Sequence, residues 1–112
     1  MQPLWKVELS QKAARDFDEI ISYTRDNFGV NQAKRYSALI AHAIQKLSEH
    51  GPDHPLAKDR SELFPGICSI QVQRESQRAR HIVFFKAVHE VSSRQLVILR
   101  ILHDSTDFSE HL

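Results

Sequence analysis

The chain has 112 residues, 26% of them charged, with 15 Lys and Arg against 14 Asp and Glu and a single cysteine. A chain of that length builds one domain spanning 1–112 and is too short for two; the lone Cys68 excludes an internal disulfide, and apolar runs of no more than four residues fall far below the roughly 20 that a transmembrane helix needs. No apolar run of the secretory kind stands at the amino terminus, so the expected compartment is cytoplasmic, with no membrane partner. The near-zero charge balance hides an asymmetry: residues 58–100 carry eight Lys/Arg against four Asp/Glu, and the remainder seven against ten. A basic half of this kind suits either an acidic partner or a solvated face.

Trp5-Lys6-Val7-Glu8-Leu9 alternates apolar and charged residues, the period of a strand with one buried face. Ser10 then offers a helix N-cap, and Ala13, Phe17, Ile20, Ile21 and Phe28 fall on one side of a helical projection. Within it Thr24 carries a hydroxyl able to bond back to the preceding turn, and Tyr23 lies on the flank. Gly29 terminates that helix and Asn31 caps the next, which carries Ala33, Tyr36, Ile40, Ala43, Ile44 and Leu47 on one side. Both helices can then pack on one sheet face. Ser48 to Gly66, with three prolines and two glycines, reads as a long irregular surface loop.

The second half reads as three strands. Cys68, Ile70 and Val72 alternate with Ser69, Gln71 and Gln73; Ile82–Val88 is mostly apolar; Gln95–Leu102 is nearly all apolar. The polar stretches Glu75–Ala79 and His89–Arg94 suit antiparallel hairpin connections, and the residues after Asp107 a short turn or helix. The expected architecture is α+β: an N-terminal strand, a two-helix hairpin, then a three-stranded antiparallel sheet.

The unusual charges sit in strands. Arg100 interrupts an apolar run, where an unpaired guanidinium would cost several kcal/mol, so it must bond a carboxylate or the carbonyls of the terminal turn. Alternation places Leu96, Ile98, Arg100 and Leu102 on one face and Val97, Leu99, Ile101 and His103 on the other. Arg80 and His81 stand at the mouth of another apolar strand. His103 and Asp107, four apart, suit a cap or local hydrogen bond better than a catalytic pair. No metal site is expected, since a His/Asp pair supplies two ligands and Cys68 faces the core; His50 and His54 lie beside prolines and add no cluster. No glycine-rich phosphate loop or nucleophile elbow is present, and no cofactor is expected.

Phe28-Gly29, Gln32-Ala33, Phe64-Pro65-Gly66-Ile67, His81-Ile82-Val83-Phe84-Phe85-Lys86 and Ile98-Leu99-Arg100-Ile101-Leu102-His103, closed by Asp107, together resemble the RelE/ParE toxins of bacterial type II toxin-antitoxin modules, and within them the ParE branch. The resemblance spans nearly the whole chain; Ser105 and Thr106 stand where the family often has Arg and Met, and Phe85 where it often has Tyr. It implies a growth-arresting toxin that inhibits DNA gyrase by binding, without sequence-specific nucleic-acid contact of its own, and a cognate antitoxin whose carboxy-terminal segment wraps it. A gyrase poison needs only preferential affinity for the cleaved-DNA state, not a catalytic site. Candidate target contacts are Arg80, His81, Arg100, His103, Asp107 and Phe108, with the basic half and the exposed turn Asp104–Leu112 first and helix 1 second. A sheet covered on one face by a helical hairpin leaves its other face, or the groove beside the helices, for the antitoxin; Ile70 and Phe84 are candidates to line it.

Two alternatives remain. A RelE-like mRNA endoribonuclease would need a base for the ribose 2′-hydroxyl and cations for the transition state, a role open to His81, Arg80, Arg100 and His103. The two tyrosines, Tyr23 and Tyr36, lie on the helices rather than near the carboxy terminus, where the RelE branch often places one, and nothing in the sequence brings His81 and His103 together. An inactive module that still binds antitoxin is the second alternative; expression without a partner separates it from a live toxin.

Overall fold

A computed structural model describes residues 4–74, 77–88 and 94–112. The chain runs β1 (Lys6–Leu9), α1 (Gln11–Phe28), α2 (Val30–His50), a 3-10 turn at Gly51–Asp53, β2 (Lys58–Asp59), β3 (Ile67–Arg74), β4 (Gln77–Val88), β5 (Gln95–His103) and a 3-10 turn at Phe108–Glu110. The α+β architecture with a helical hairpin is as expected, but the described sheet has five strands, in the order β1-β5-β4-β3-β2. It is mixed, not antiparallel: β1 lies parallel to β5, while the other neighbours are antiparallel. The extra strand, β2, falls inside the expected irregular loop and consists of two residues, paired with Cys68 and Ser69. Two residues carry no periodicity, so nothing in the sequence marks it.

Ser10 caps α1 as expected, its hydroxyl accepting from Ala13 N at 3.0 Å and donating to Leu99 O at 2.9 Å. Thr24 bonds back to Ile20 O at 2.7 Å. Gly29, at φ 93°, ends α1 through its N–H to Arg25 O and also starts α2, its carbonyl accepting from Ala33 N at 3.1 Å. A non-glycine residue adopts that φ only with strain. Asn31 is therefore not the cap: α2 begins two residues earlier than expected, and Asn31 lies inside it.

Strand boundaries extend beyond the apolar runs. Gln77–Ala79, read as part of a connection, belongs to β4, while Glu75, Ser76 and the His89–Ser93 part of the second connection lie outside the described residues. Val83, Phe85, Leu96, Ile98 and Ile101 join Ala13, Ile40, Ala43, Leu47, Ile70 and Val72 in the core under the helices. Phe84, Ile67 and Leu102 form a second cluster on the opposite face, with Leu63, Phe108 and Leu112 packed on it.

One irregularity reorganises β5. Phe84 pairs with Arg100 but Phe85 pairs with Ile98, so Leu99 is an extra residue on β5. A bulge of this kind breaks the period of two. Leu96 and Ile98 thus share the helix-covered face with Ile101 and His103, not with Arg100 and Leu102 as simple alternation predicts. Arg100 and His103 still stand on opposite faces, three residues apart beyond the bulge.

Candidate functional site

β1 covers the edge of β5 only as far as Ile98, and the backbone beyond it would be left open. Ser10 N donates to Ile98 O and Ser10 Oγ to Leu99 O, both at 2.9 Å, while Asp16 Oδ2 accepts from Ile101 N at 2.9 Å. The same carboxylate holds Arg100 in a bidentate pair, Nε to Oδ2 at 2.8 Å and Nη2 to Oδ1 at 2.9 Å. A further Arg100 N–H donates to His111 O at 3.1 Å, so both expected classes of partner are present at once. Hydrogen bonding to Asp16 raises the guanidinium pKa further. The signal for this partner was available: Asp16 lies three residues after Ala13 and four before Ile20, a carboxylate within the apolar stripe.

A second bulge aims His81. Gln71 pairs with Ile82, yet Gln73 pairs with Arg78, leaving extra residues on β4. The Gln71 side chain donates to the carbonyls of Ala79 at 2.7 Å and His81 at 3.0 Å, satisfying backbone that the bulge takes out of the ladder. His81 then pairs directly with His103 across the β4–β5 ladder, the rings 5.2 Å apart and nearly perpendicular. The structure thus brings together two residues that the sequence left unconnected.

Tyr36 completes the cluster from α2. Its ring lies edge-on to His81, 5.4 Å away, and its hydroxyl hydrogen-bonds His81 Nδ1. Read in the sequence as a core-stripe residue, Tyr36 does pack on the core, but a buried phenol also demands a polar partner. Burial raises its pKa, against a hydrogen bond from the Arg80 backbone that lowers it. His81 is pushed down to about 4, first by burial and then by the neighbouring His103, with Asp104 and Asp16 pulling the other way.

His103 Nδ1 accepts from Ser105 N at 3.1 Å and meets Ser105 Oγ at 2.7 Å. Asp104, beside it, pairs with Arg80, Nε to Oδ2 at 3.2 Å, and its N–H donates to Arg80 O at 2.7 Å. Asp107 does not reach back to His103; it caps the final 3-10 turn, accepting from Ser109 N and Oγ at 3.2 and 2.7 Å. Phe108 packs on Phe84 with ring centroids 4.9 Å apart.

These histidines floor a groove of about 750 Å³ lined by Glu19, Ile20, Tyr23, Thr24, Phe28, Gln32, Tyr36, Arg80, His81 and His103. Tyr23 and Phe28 form its outer wall and are 63% and 66% exposed, high for large aromatic side chains. A second recess, of about 580 Å³, lies between the start of α1 and the carboxy-terminal segment and carries Lys12, Lys86 and Arg100 beside Phe64, Leu99 and Leu112. Of the expected contact residues, Arg80, His81 and His103 meet in the groove, Arg100 lines the recess, and Asp107 and Phe108 belong to the terminal turn. Ile70 and Phe84 present no surface: the first is 3% exposed under α2 and the second 0% exposed under Phe108. Alternation shows which residues share a face, not which face is already covered.

Residues 7–108, which include both histidines, both helices and the start of the terminal turn, match the family described as the ParE toxin of type II toxin-antitoxin system, parDE. The chain belongs to the ParE toxin family. It is 33% identical to Toxin ParE of Escherichia coli over 105 residues, covering 93% of this chain and 89% of that one. Toxin ParE1 of Caulobacter vibrioides is 29% identical over 104 residues, covering 93% and 94%. The fold matches the solved chromosomal ParDE TA system from P. aeruginosa with a TM-score of 0.71 at 18% identity, over 91% of this chain and 98% of that one. This ParE-type toxin has, among its described residues, no helix long and apolar enough to cross a membrane.

Proposed function

We propose that this ParE-type toxin arrests growth by binding DNA gyrase and favouring its cleaved-DNA state, and that a cognate antitoxin silences it by covering the groove beside the helices. The observation that carries the binding reading is the commitment of the groups a catalyst would use. Arg100 is bidentate with Asp16, Arg80 is paired with Asp104, and Tyr36 is bonded to His81. What the surface offers instead is an apolar groove and a cationic recess. The recess, beside the carboxy-terminal segment, is the candidate for the target contact; the groove, with its exposed Tyr23 and Phe28, is the candidate for the antitoxin.

The test is plasmid supercoiling by purified gyrase, titrated with the chain freed of antitoxin and scored for cleaved DNA on the same gel. Loss of supercoiling with accumulated cleaved DNA is expected. Intact supercoiling, from a folded chain that arrests growth, would overturn the reading.

The His81–His103 pair beside Arg80 favours a second reading, RelE-like mRNA cleavage, because it supplies two imidazoles and a cation at one groove. Replacing both histidines separates the two. Full growth arrest by the double variant removes cleavage, and loss of arrest with gyrase inhibition intact supports it.

A further inference from the structure

The hydrogen-bond pattern fixes which face of each imidazole meets the groove. The Tyr36 hydroxyl meets His81 Nδ1, and because a phenol donates more strongly than it accepts while a neutral ring nitrogen accepts well, its proton is directed at that nitrogen. His103 Nδ1 accepts the backbone N–H of Ser105. In each neutral ring the proton therefore sits on Nε2. Among the described residues neither Nε2 has a partner, and no side-chain nitrogen is buried without one, so both Nε2–H groups open onto the groove they line. The floor presents two donors and, in this tautomeric state, no ring acceptor.

The charges around the floor narrow what those donors can hold. Arg80 is neutralised by Asp104, and Arg100 by Asp16. Glu19, on the α1 side of the groove, makes no ion pair with any described residue and adds to the field on Arg100 without touching it. With Arg80 paired to Asp104, Glu19 is the lining carboxylate left without an ion pair among the described residues, and it opposes a carboxylate and opposes a phosphate more strongly. A neutral carbonyl acceptor satisfies both donors without that penalty.

We propose that the groove is built for a protein segment that sets a neutral carbonyl oxygen against His81 and His103, apolar side chains against Ile20, Tyr23 and Phe28, and a Lys or Arg against Glu19. The segment is assigned to the antitoxin, and the proposal rests to that extent on the reading given above. Nucleic acid is the wrong chemistry for this site, whatever the recess on the far side binds. Tyr36 and Ser105 act as positioning residues, holding the two tautomers.

The test follows the imidazole nitrogens by long-range proton–nitrogen NMR on the full chain, titrated separately with hexanamide, hexanoate and inorganic phosphate. Hexanamide is expected to shift the Nε2–H signals of both histidines, hexanoate to need about tenfold more, and phosphate more still. Glu19→Gln is expected to erase the difference between amide and carboxylate. Hexanoate or phosphate binding at least as well as hexanamide would overturn the proposal. Tyr36→Phe should leave the chain folded but mix the two His81 tautomers, a spectroscopic change that lost packing alone would not produce; an unmixed Nε2–H signal there would overturn the tautomer argument.

Assignment to the antitoxin is tested with the full cognate protein. His103→Phe is expected to weaken its binding about tenfold and Glu19→Gln by a smaller factor, both with unchanged melting temperature. Unchanged affinity for both variants would overturn the assignment. An antitoxin that fails to bind the unmodified chain would instead overturn the proposed function, and the hexanamide titration would still decide the donor pair.

Discussion

On the helix-covered face, β4 and β5 carry Val83, Phe85, Ile98 and Ile101 into the core and then run past it, so that His81 and His103 line an open groove. On the opposite face the same strands place Phe84 and Leu102 beneath Phe108, with Leu63 and Leu112 packed beside them. Arg60 stacks there over both phenyl rings, 5.9 Å from Phe84 and 5.6 Å from Phe108. The second face is closed by the chain's own carboxy-terminal turn, and its apolar residues are spent on folding. The first leaves aromatic side chains and ring nitrogens uncommitted. An apolar strand residue is thus a candidate contact only once the cover over its face is known.

Five measurements break or sharpen that contrast. Phe84→Ala empties the closed face, and chemical denaturation should show a loss of about 3–5 kcal/mol, as for other buried aromatic truncations. Asp16→Ala strands the Arg100 guanidinium, whose side chain is 18% exposed, and leaves the Ile101 N–H without its partner; a loss of about 3 kcal/mol is expected. In a double-mutant cycle Asp16 and Arg100 should show clear coupling, which an independent pair of surface charges would not.

The pH dependence of stability reports on the open face. Folded His81 titrates at about 4, below the ordinary 6.5, so between these values the unfolded chain binds the proton and the folded chain does not. Stability contributed by the neutral ring is therefore complete above pH 6.5, is lost as pH falls towards 4, and changes no further below. The loss should be roughly 1–2 kcal/mol, allowing for solvent access through the groove. His81→Gln should flatten this part of the profile. The groups facing the ring are His103 and Asp104 at the end of β5, Asp16 on α1, Tyr36 on α2 and Arg80 beside it. The smallest effect on folding belongs to Tyr23→Ala, within about 0.5 kcal/mol because the residue is exposed. Its effect should appear in antitoxin binding instead; a large loss of stability would show that the groove wall is part of the core.

Much of the fold was legible because its signals are local. Ser10, the apolar stripes of both helices, Gly29 and the apolar strands each carry their meaning within a few residues. β2 was not legible, since two residues have no period, and the parallel pairing of β1 with β5 joins segments about 90 residues apart in sequence. Arg100 advertised its need for a partner and named the right classes; Asp16, a carboxylate within an apolar stripe, carried the matching signal, and the helix–sheet packing joins the two. The histidine pair was hidden because register between strands is set by bulges, and neither bulge has a distinctive residue. Tyr36 was read as a core-stripe residue and does pack on the core, but its place in the stripe left open what its hydroxyl bonds.

Leu99 acts as a frame shift written into a strand. Upstream of it every second residue of β5 belongs to the helices; downstream the assignment is inverted, and the charged and ring-bearing positions are counted from the new start. Drawing Leu99 into the ladder, with no residue left over, would turn Arg100 towards the helices and His103 away from Tyr36; deleting Leu99 would keep both where they are, because each retains its partner on β4. In this chain the phase of the strand, more than the identity of any single side chain along it, decides which chemistry faces the groove.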